Sequence, residues 1–369
     1  MNSTSHAKKI LVIRFSSLGD VALVGPILAA MKQQSGLEVH LLTKQNMGDL
    51  LQGGNGVDRF YTWGEQDLWK KLKAEKYDGI LDLHRNFRSV CVLIQLLYLN
   101  FKHTYSQDWP AASYSKKRFI RWLFVKTKRP RFQVSHVQDR YAEAAKSLLN
   151  DLDPIMATRF VEGLSWMNHG LGVGQLSEKE LGELPKQYGV AILGGTYPTK
   201  KITESVWDHV FEGSELTWVL LGTSGELALS QRLSDRWGER VVNKVGSYSL
   251  SMSSRCIAGA TMVVGGDTGF THVAAAFGRP LLVIWGNTHP GLGFAPGMGL
   301  IQPQTHENEI DNKRPPVIQL YAKNLSCHPC SKLGFEACPK GHFRCMQDYS
   351  AQEIKLMLQK LQANSLGGR

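Results

Sequence analysis

Residues 10–31, ILVIRFSSLGDVALVGPILAAM, combine a short apolar run, a polar loop and an apolar helical pattern. The run at Ile10–Ile13 has no polar interruption, which is typical of a strand covered on both faces of a sheet. The loop that follows contains Gly19 and Asp20, and the helical pattern extends from Val21 to Met31. A strand that leads directly into a helix predicts a parallel sheet with crossover helices.

The same alternation of strand and helix recurs along the chain. Further strands are predicted at Val39–Leu42, Gly79–Leu83, Val190–Leu193, Trp218–Leu221, Met262–Val264 and Leu281–Trp285. Helical patterns follow the first two of these runs at Met47–Leu51 and Ser89–Leu99. The rhythm pauses at residues 163–189, so the pattern predicts two doubly wound α/β domains. The N-terminal domain is predicted at 1–165, the linker at 166–188 and the C-terminal domain at 189–369.

The composition narrows the class of protein. With 369 residues, of which 43% are hydrophobic, the chain is long enough to bury two cores. A net charge of +11 and a pI near 9.3 imply attraction to nucleic acid, a membrane surface or a phosphorylated molecule. The polar start and the lack of a run of about twenty apolar residues predict a cytoplasmic protein without a membrane span.

Small and hydroxyl-bearing residues follow four of the predicted strands. Ligands of open parallel sheets bind beyond the carboxyl ends of the strands, so chemistry is expected in these loops. Their sequences are RFSSLGD at 14–20, GGT at 194–196, GTSGE at 222–226 and GGDTG at 265–269. Because glycine permits close backbone approach, such loops suit phosphate and sugar ligands.

The segment Gly265–His272 joins a predicted strand to a predicted helix. A helix that begins near Thr268 points free N–H groups at an anion, and Gly269 lets a diphosphate approach the backbone. The alternative is structural, since Asp267 and Thr268 are favoured helix caps. A lone histidine such as His272 is more often packed than catalytic.

Asp20 is the predicted catalytic residue. It follows the loop after the first predicted strand, where a carboxylate can deprotonate a hydroxyl within hydrogen-bond reach. Aspartate is also a favoured N-cap of helices, so a purely structural role is the alternative.

A basic tract occupies Lys116–Arg131, with eight Lys or Arg residues and no acid. Aromatic residues at 119, 122 and 124 lie among the charges. Such a tract suits an amphipathic helix on an anionic membrane, the stacking of unpaired bases, or a solvated charged face. No recognised nucleic-acid module surrounds it, which disfavours nucleic acid as a partner. The tract residues predicted to bind an anionic acceptor are Lys116, Lys117, Arg118 and Arg121.

Four of the six cysteines cluster near the end of the chain with the spacing C-x2-C-x7-C-x6-C, at 327, 330, 338 and 345. His328 and His342 lie among them. The spacing is compatible with a structural zinc, although it is not a clean pair of knuckles. Free thiols, or a bridge formed only on oxidation, are the alternatives in a reducing compartment.

Four segments together resemble glycosyltransferase family 9, the heptosyltransferases of the lipopolysaccharide inner core. They are RFSSLGDV at 14–21, DLHRNFRS at 82–89, DTGFTH at 267–272 followed by Ala274–Ala276 and Arg279-Pro280, and the cysteine pattern ending in Cys345-Met346. They occur in order and span nearly the whole chain. The resemblance implies a GT-B fold, with two Rossmann-like domains facing across a cleft.

The resemblance also implies roles for individual residues. Asp20 is similar to the catalytic base, and Lys200 resembles the lysine that meets the donor phosphates. The aromatic-proline pair usual after that lysine is replaced by Ile202-Thr203, so Lys201 is the alternative. The other predicted donor-binding residues are Glu226 at the ribose, Tyr248 at adenine, Asp267 at the sugar, Thr268 and Gly269 at the diphosphate, with Thr196 and His272. The acceptor-binding residues outside the tract are Arg14, Ser17 and Arg88.

The function implied by the resemblance is inverting, metal-independent transfer of a heptose from ADP-heptose to an anionic glycolipid of the lipopolysaccharide core, with peripheral contact to the inner membrane face. No cofactor is expected. Asp151-Leu152-Asp153 has the spacing of a metal-diphosphate motif but does not follow a predicted strand. The alternatives are a transferase that uses another nucleotide sugar and a non-catalytic nucleotide or glycan binder. A dehydrogenase is disfavoured, because no G-x-G-x-x-G follows the first strand.

Overall fold

The computed structural model describes residues 7–101, 110–165, 170–172, 177, 184–299 and 316–366. The chain divides into two compact units. The first contains the described residues up to Lys116 and those from Val137 to 172, and the second contains Lys117–His136 and the described residues from 177 onward. Each unit is built on one parallel sheet, which confirms the prediction of two doubly wound α/β domains.

The first unit has a five-stranded sheet in the order β3-β2-β1-β4-β5. Its strands are β1 (Lys9–Ile13), β2 (Glu38–Thr43), β3 (Arg59–Thr62), β4 (Gly79–Asp82) and β5 (Ala111–Ser113). Its helices are α1 (Leu18–Ser35), α2 (Gln45–Gly48), α3 (Leu68–Ala74), α4 (Phe87–Phe101), α6 (Val137–Leu152) and α7 (Pro154–Glu162), whereas α5 (Arg118–Thr127) belongs to the second unit. Ile13 lies between Leu42 and Asp82 in the parallel register, so the loops after β1 and β4 leave the sheet side by side.

The second unit has a six-stranded sheet in the order β11-β10-β9-β6-β7-β8. Its strands are β6 (Tyr188–Ile192), β7 (Thr217–Leu221), β8 (Val241–Asn243), β9 (Met262–Gly265), β10 (Leu281–Ile284) and β11 (Val317–Leu320). Its further helices are α8 (Glu204–Glu212), α9 (Leu227–Trp237), α10 (Leu250–Gly259), α11 (Gly269–Ala276), α12 (Arg344–Gln347) and α13 (Ala351–Leu366). The central strands are buried along their whole length, as their continuous apolar runs predict.

Four strands were not predicted from the sequence, and all four are short or partly exposed. They are β3, β5, β8 and β11, each paired on one side only. An edge strand needs no continuous apolar run, because one of its sides is not covered by another strand. The helix predicted at Met47–Leu51 is also wrong in extent, since α2 ends at Gly48 and the buried Leu50 and Leu51 lie in the following turn.

No helix in the described part of the chain combines the length and apolar character needed to cross a membrane.

Candidate active site

Each sheet has one position where consecutive crossovers leave in opposite directions. In the first sheet this position lies between β1 and β4, and in the second it lies between β6 and β9. Open α/β sheets bind their ligands beyond the carboxyl ends of the strands at such a position. Asp20 follows β1 and Thr268 follows β9, so the predicted catalytic and donor residues lie where this rule places a ligand.

Asp20 lies in the first turn of α1, and the cap of that helix is Ser17. The Oδ2 atom of Asp20 accepts hydrogen bonds from the backbone N and the Oγ of Ser17, both at 3.0 Å. The same oxygen pairs with the guanidinium of Arg14. Asp20 is therefore not the N-cap, which corrects that alternative, but it closes a capping box with Ser17.

Arg14 is enclosed beside Asp20. Its Nε donates to the carbonyl of Ser16 at 2.9 Å, and its Nη1 donates to the hydroxyl of Tyr141 at 2.7 Å and to the carbonyl of Leu83. Burial disfavours the charged guanidinium, but Asp20, Tyr141 and Tyr114 together outweigh this effect and raise the pKa of Arg14 above its ordinary value. Arg14 was predicted to bind the acceptor. Its contacts here hold the Asp20 carboxylate in place.

His84 is a residue of this site to which the sequence analysis gave no role. Its ring meets that of Phe15 edge to face, with centroids 5.1 Å apart. Burial, together with the positive charges of Arg14 and Lys116, lowers the pKa of His84 to about 4, so the imidazole is neutral near pH 7. The signal for this residue was its place in the loop after β4, the neighbour of β1.

The predicted acceptor residues differ in their exposure. Arg88 is exposed at the start of α4, and Lys117 and Arg118 are exposed at the start of α5. Arg121 is buried, and its guanidinium lies over the ring of Phe294, 4.9 Å from the centroid. Arg121 therefore lies on the inner face of α5, and its predicted role in acceptor binding stays a prediction.

The helix α5 belongs to the second unit, although it falls within the predicted N-terminal domain at 1–165. Its inner face contacts the loop after β10, since Phe124 meets the ring of His289 with centroids 5.2 Å apart. On its outer face Phe119 and Trp122 are exposed and stacked, with centroids 5.9 Å apart. The helix is amphipathic, as the tract predicted.

The Asp267–Gly269 turn begins α11, the helix predicted to face a diphosphate. Thr268 occupies the cap position but makes no capping hydrogen bond with its side chain, and its buried Oγ1 has no partner among the described residues. Asp267 accepts a hydrogen bond from Thr288 Oγ1 at 2.8 Å and pairs with Lys200 Nζ at 2.8 Å. The turn therefore combines an unsatisfied hydroxyl and a helix N-terminus with a lysine nearby.

The two candidate lysines have different partners. Lys200 pairs with Asp267, whereas Lys201 pairs with Glu226 at 2.6 Å. Glu226 also accepts hydrogen bonds from the N and Oγ1 of Thr223, both at 2.8 Å. Burial opposes its charge, but Lys201 and Thr223 outweigh this effect and lower the pKa of Glu226.

Gly266 explains why the loops after β6 and β9 lie so close together. A Cβ atom built on Gly266 would lie 2.3 Å from the carbonyl oxygen of Lys200, a distance that no side chain tolerates. Glycine at this position lets the Lys200 backbone approach the turn that precedes α11.

The loop after β10 is a second feature to which the sequence analysis gave no role. It contains Thr288, the partner of Asp267, and Asn287, whose side-chain amide is buried without a hydrogen-bond partner among the described residues. The backbone N of Asn287 donates to the carbonyl of Thr199 at 3.3 Å, beside Lys200. The loop is adjacent because β10 pairs with β9.

The remaining predicted donor residues also lie in the second unit. Thr196 is exposed in the loop after β6, and His272 is buried in the first turn of α11. Tyr248 lies beyond β8 with Lys244 Nζ 5.3 Å from its ring centroid.

The cysteine cluster holds free thiols in this structure. Cys327 Sγ lies 3.6 Å from His342 Nε2, and burial raises the pKa of Cys345 to about 12. Among the described residues, the one group of three potential metal ligands within 4.8 Å of one another is Glu38, His40 and Glu75. The carboxylates of Glu38 and Glu75 both pair with Lys9 Nζ, at 3.4 and 2.6 Å, which is typical of a structural ion network.

Comparison with known proteins gives consistent relatives. The model of glycosyltransferase family 9 (heptosyltransferase) matches residues 66–296. Lipopolysaccharide heptosyltransferase 1 of Salmonella typhimurium is 25% identical over 309 residues, which are 77% of this chain and 90% of the relative. The protein of the same name from Escherichia coli K12 is 24% identical over 311 residues, 77% of this chain and 89% of the relative.

Two solved structures are similar over nearly the whole chain. E. coli ADP-heptose LPS heptosyltransferase II has a TM-score of 0.65 at 17% identity, covering 97% of this chain and 99% of its own. E. coli heptosyltransferase WaaC with ADP has a TM-score of 0.59 at 17% identity. The match covers 96% of this chain and 99% of that chain. These likenesses show the fold, which is of the predicted GT-B type.

Proposed function

Because the chain belongs to glycosyltransferase family 9 and is a glycosyltransferase, we propose that it moves a heptose from ADP-heptose to the inner core of lipopolysaccharide. Support for the acceptor comes from the relatives of Salmonella and E. coli, which are named lipopolysaccharide heptosyltransferases. Support for the donor comes from the similar E. coli enzyme that was solved with ADP. Family membership disfavours the non-catalytic binder considered from the sequence.

The observation that carries this proposal is the turn at Thr268. A buried hydroxyl without a partner costs about 1–3 kcal/mol, so Thr268 Oγ1 is poised to bind a ligand oxygen. The first N–H groups of α11 add a positive partial charge at the same place. With Lys200 beside Asp267, the turn offers what a diphosphate requires.

The leaving group of the reaction is a nucleoside diphosphate, which gains negative charge as the glycosidic bond breaks. Fixed dipoles and a cation at the diphosphate stabilise that charge in the transition state. We assign the cation to Lys200 and the dipoles to α11, so no metal ion is needed in this mechanism. Lys201 is assigned a supporting role, because its partner is the buried Glu226.

The nucleophile is a hydroxyl of the acceptor sugar, and Asp20 is proposed to take its proton. The hydroxyl oxygen bonds to the anomeric carbon as the bond to the diphosphate breaks, which inverts the configuration. General-base catalysis needs a carboxylate within hydrogen-bond reach of the hydroxyl, and the contacts with Arg14 and Ser17 fix the position of Asp20. Arg14 thus acts as a positioning residue.

The acceptor is proposed to be an anionic glycolipid reached at the inner face of the cytoplasmic membrane. The outer face of α5 presents Lys117 and Arg118 beside the stacked pair Phe119 and Trp122. Basic and aromatic residues on one helix face are typical of helices that lie on anionic membranes. The net charge of +11 acts in the same direction.

A panel of nucleotide sugars tests the proposal. The purified protein is incubated with a Kdo-lipid A acceptor and each donor in turn, and nucleoside diphosphate release is measured. We expect release from ADP-heptose in excess of all other donors. Release from a UDP- or GDP-sugar instead would assign another donor to the same site.

A further inference from the structure

The helix α4 is apolar on nearly all of its faces, with the sequence FRSVCVLIQLLYLNF. One face packs into the first unit, where Val92 and Leu96 are buried. The opposite face carries Phe87, Val90 and Ile94, which are spaced three and four residues apart and are therefore neighbours on the helix surface. Their exposed fractions are 84%, 41% and 61%. Phe87 is the most exposed large apolar side chain among the described residues.

The exposure of Phe87 is built into the start of α4. Ser89 Oγ donates to the buried carboxylate of Asp82 at 2.7 Å and accepts from the backbone N of Asn86 at 3.0 Å. Asn86 Oδ1 in turn accepts from the backbone N of Ser89 at 2.9 Å. These bonds fix the first turn of α4 to the end of β4, so Phe87 is held outward by a well-bonded turn.

A helix that is apolar all round is normally enclosed by protein or by membrane. One face of α4 is covered by no other part of the described chain. Nor does any described helix have the length and apolar character to cross a membrane. Large exposed apolar patches mark interaction sites. The face formed by Phe87, Val90 and Ile94, called the α4 apolar face below, therefore requires an occupant.

The charges beside this face identify the occupant. Arg85 and Arg88 are both exposed next to Phe87, and residues 84–101 contain no acid. Apolar side chains flanked by arginines fit a lipid surface with anionic headgroups, which attract each basic side chain near the surface. A second copy of the chain fits less well, since a symmetric contact would bring the arginines of both copies together.

We propose that the α4 apolar face docks on the anionic lipid bilayer that carries the acceptor, with Phe87 and Ile94 inserted at the headgroup level. This inference rests on the proposed function, because a lipid acceptor is what makes a bilayer the occupant. The helix begins directly after the loop that holds His84, in the unit that contains Asp20. Docking through α4 thus keeps the acceptor-side loops at the membrane surface where the acceptor sugar emerges.

Vesicle sedimentation tests the docking. The double variant Phe87→Ser with Ile94→Ser is compared with wild type on vesicles of phosphatidylethanolamine and phosphatidylglycerol. Loss of each apolar side chain is expected to weaken binding to the vesicles about tenfold or more. The thermal midpoint is expected to stay unchanged, because both side chains are exposed. The control is Leu227→Ser with Leu356→Ser, which removes two leucines with exposed fractions of 49% and 47% in the second unit and is expected to bind like wild type. Phe87→Trp is expected to retain binding, since Trp suits the membrane interface.

Kinetics with two acceptors separate this inference from the proposed function. On acceptor embedded in vesicles the Phe87 and Ile94 variant is expected to lose activity about in proportion to binding, whereas on a deacylated, soluble acceptor it is expected to match wild type. Vesicle binding equal to wild type overturns the docking proposal. So does a concentration-dependent dimer that the variant abolishes, because the face is then a contact between copies. Failure of wild type on both acceptors contradicts the proposed function itself.

Discussion

Lys200 Nζ lies 2.8 Å from Asp267 Oδ2, at the turn that begins α11, whereas its neighbour Lys201 pairs with Glu226. Lys200→Ala is therefore expected to weaken ADP binding by about tenfold to a hundredfold, the usual range for a charged hydrogen bond to phosphate. Lys201→Ala is expected to weaken ADP binding less. Titration calorimetry with ADP measures both.

For stability, we expect the two variants to rank in the opposite order to their effects on ADP binding. Lys201→Ala leaves the buried carboxylate of Glu226 without its cation, and removal of one partner from a buried pair is strongly destabilising. We expect a lower thermal midpoint for Lys201→Ala than for Lys200→Ala. If Lys201→Ala instead gives the larger loss of ADP affinity, the phosphate contact belongs to Lys201.

Asp20→Asn tests the general base without removing its volume. Turnover is expected to fall by about 10² to 10⁴, because an amide accepts no proton at neutral pH. Binding of ADP is expected to persist, since the predicted donor residues lie in the second unit. Steady-state kinetics and calorimetry measure the two effects, and near wild-type turnover would leave Asp20 only its capping role.

Alanine is the poorer substitution at this position. The structure shows that Asp20 pairs with the enclosed Arg14, so Asp20→Ala leaves a buried guanidinium with no acceptor at this position, whereas Asn keeps an amide oxygen that can accept from Arg14 and Ser17. Such a loss costs about 3 kcal/mol, in addition to about 1 kcal/mol for the capping box. Low activity of the alanine variant would then report unfolding as well as chemistry.

The sequence predicted the parts of the fold that carry their own local signal. Continuous apolar runs such as Ile10–Ile13 identify central strands, because both faces of those strands are covered. The edge strand β11 has no comparable run, since most of its residues are only partly buried. Periodicity therefore recovered the centre of each sheet and missed its margins.

Within the candidate site, motifs predicted single residues but not their partners. The pairing of Asp20 with Arg14 joins two ends of one loop, and nothing in the local pattern shows which way a side chain turns. The contact of Thr288 with Asp267 depends on the pairing of β10 with β9, a long-range relation. The inward direction of Arg121 likewise depends on a residue distant in sequence, Phe294.

The start of the basic tract, where Lys116 is half-buried and Lys117 and Arg118 are exposed, gives a prediction for the acceptor. Replacement of Lys116, Lys117 and Arg118 by Gln is expected to raise the acceptor KM about tenfold or more and to flatten its salt dependence, since each charge contributes about 1 kcal/mol near an anionic surface. The control replaces the exposed Lys332, Lys355 and Lys360 by Gln, which removes the same charge from positions of the second unit outside the tract. If both triple variants change the acceptor KM equally, the effect comes from the net charge of the protein and not from the position of the tract.

Arg121 is expected to behave differently from those three residues. Its guanidinium is buried over Phe294, so Arg121→Gln should lower the thermal midpoint through lost packing. A direct effect on the salt dependence of acceptor binding is not expected. Thermal unfolding and kinetics at two salt concentrations distinguish the two outcomes, and a stable variant with altered salt dependence would return Arg121 to the acceptor site.

Acid stability of the first unit is predicted to depend on Glu75. Burial opposes its charge, but hydrogen bonds from Lys9 and Tyr61, both at 2.6 Å, outweigh this effect and lower the pKa of Glu75 to about 2. A folded-state pKa below the unfolded value contributes stability at higher pH that is lost as pH falls from about 4.5 to 2, amounting to about 3 kcal/mol. In Glu75→Gln, the free energy of unfolding should no longer fall by this amount as the pH is lowered over that range. Denaturant unfolding at several pH values measures this, and the same pH dependence as wild type would contradict the prediction.

Heptose transfer without a metal ion, as proposed for this protein, can be tested in one assay. The protein, after prolonged dialysis against EDTA, is incubated with ADP-heptose and a Kdo-lipid A acceptor. The ADP released and the heptosylated lipid are then quantified together by mass spectrometry. We expect equal amounts of both products, with no increase when magnesium is added. ADP release without a heptosylated lipid, or activity that appears only with added magnesium, would overturn the proposed mechanism.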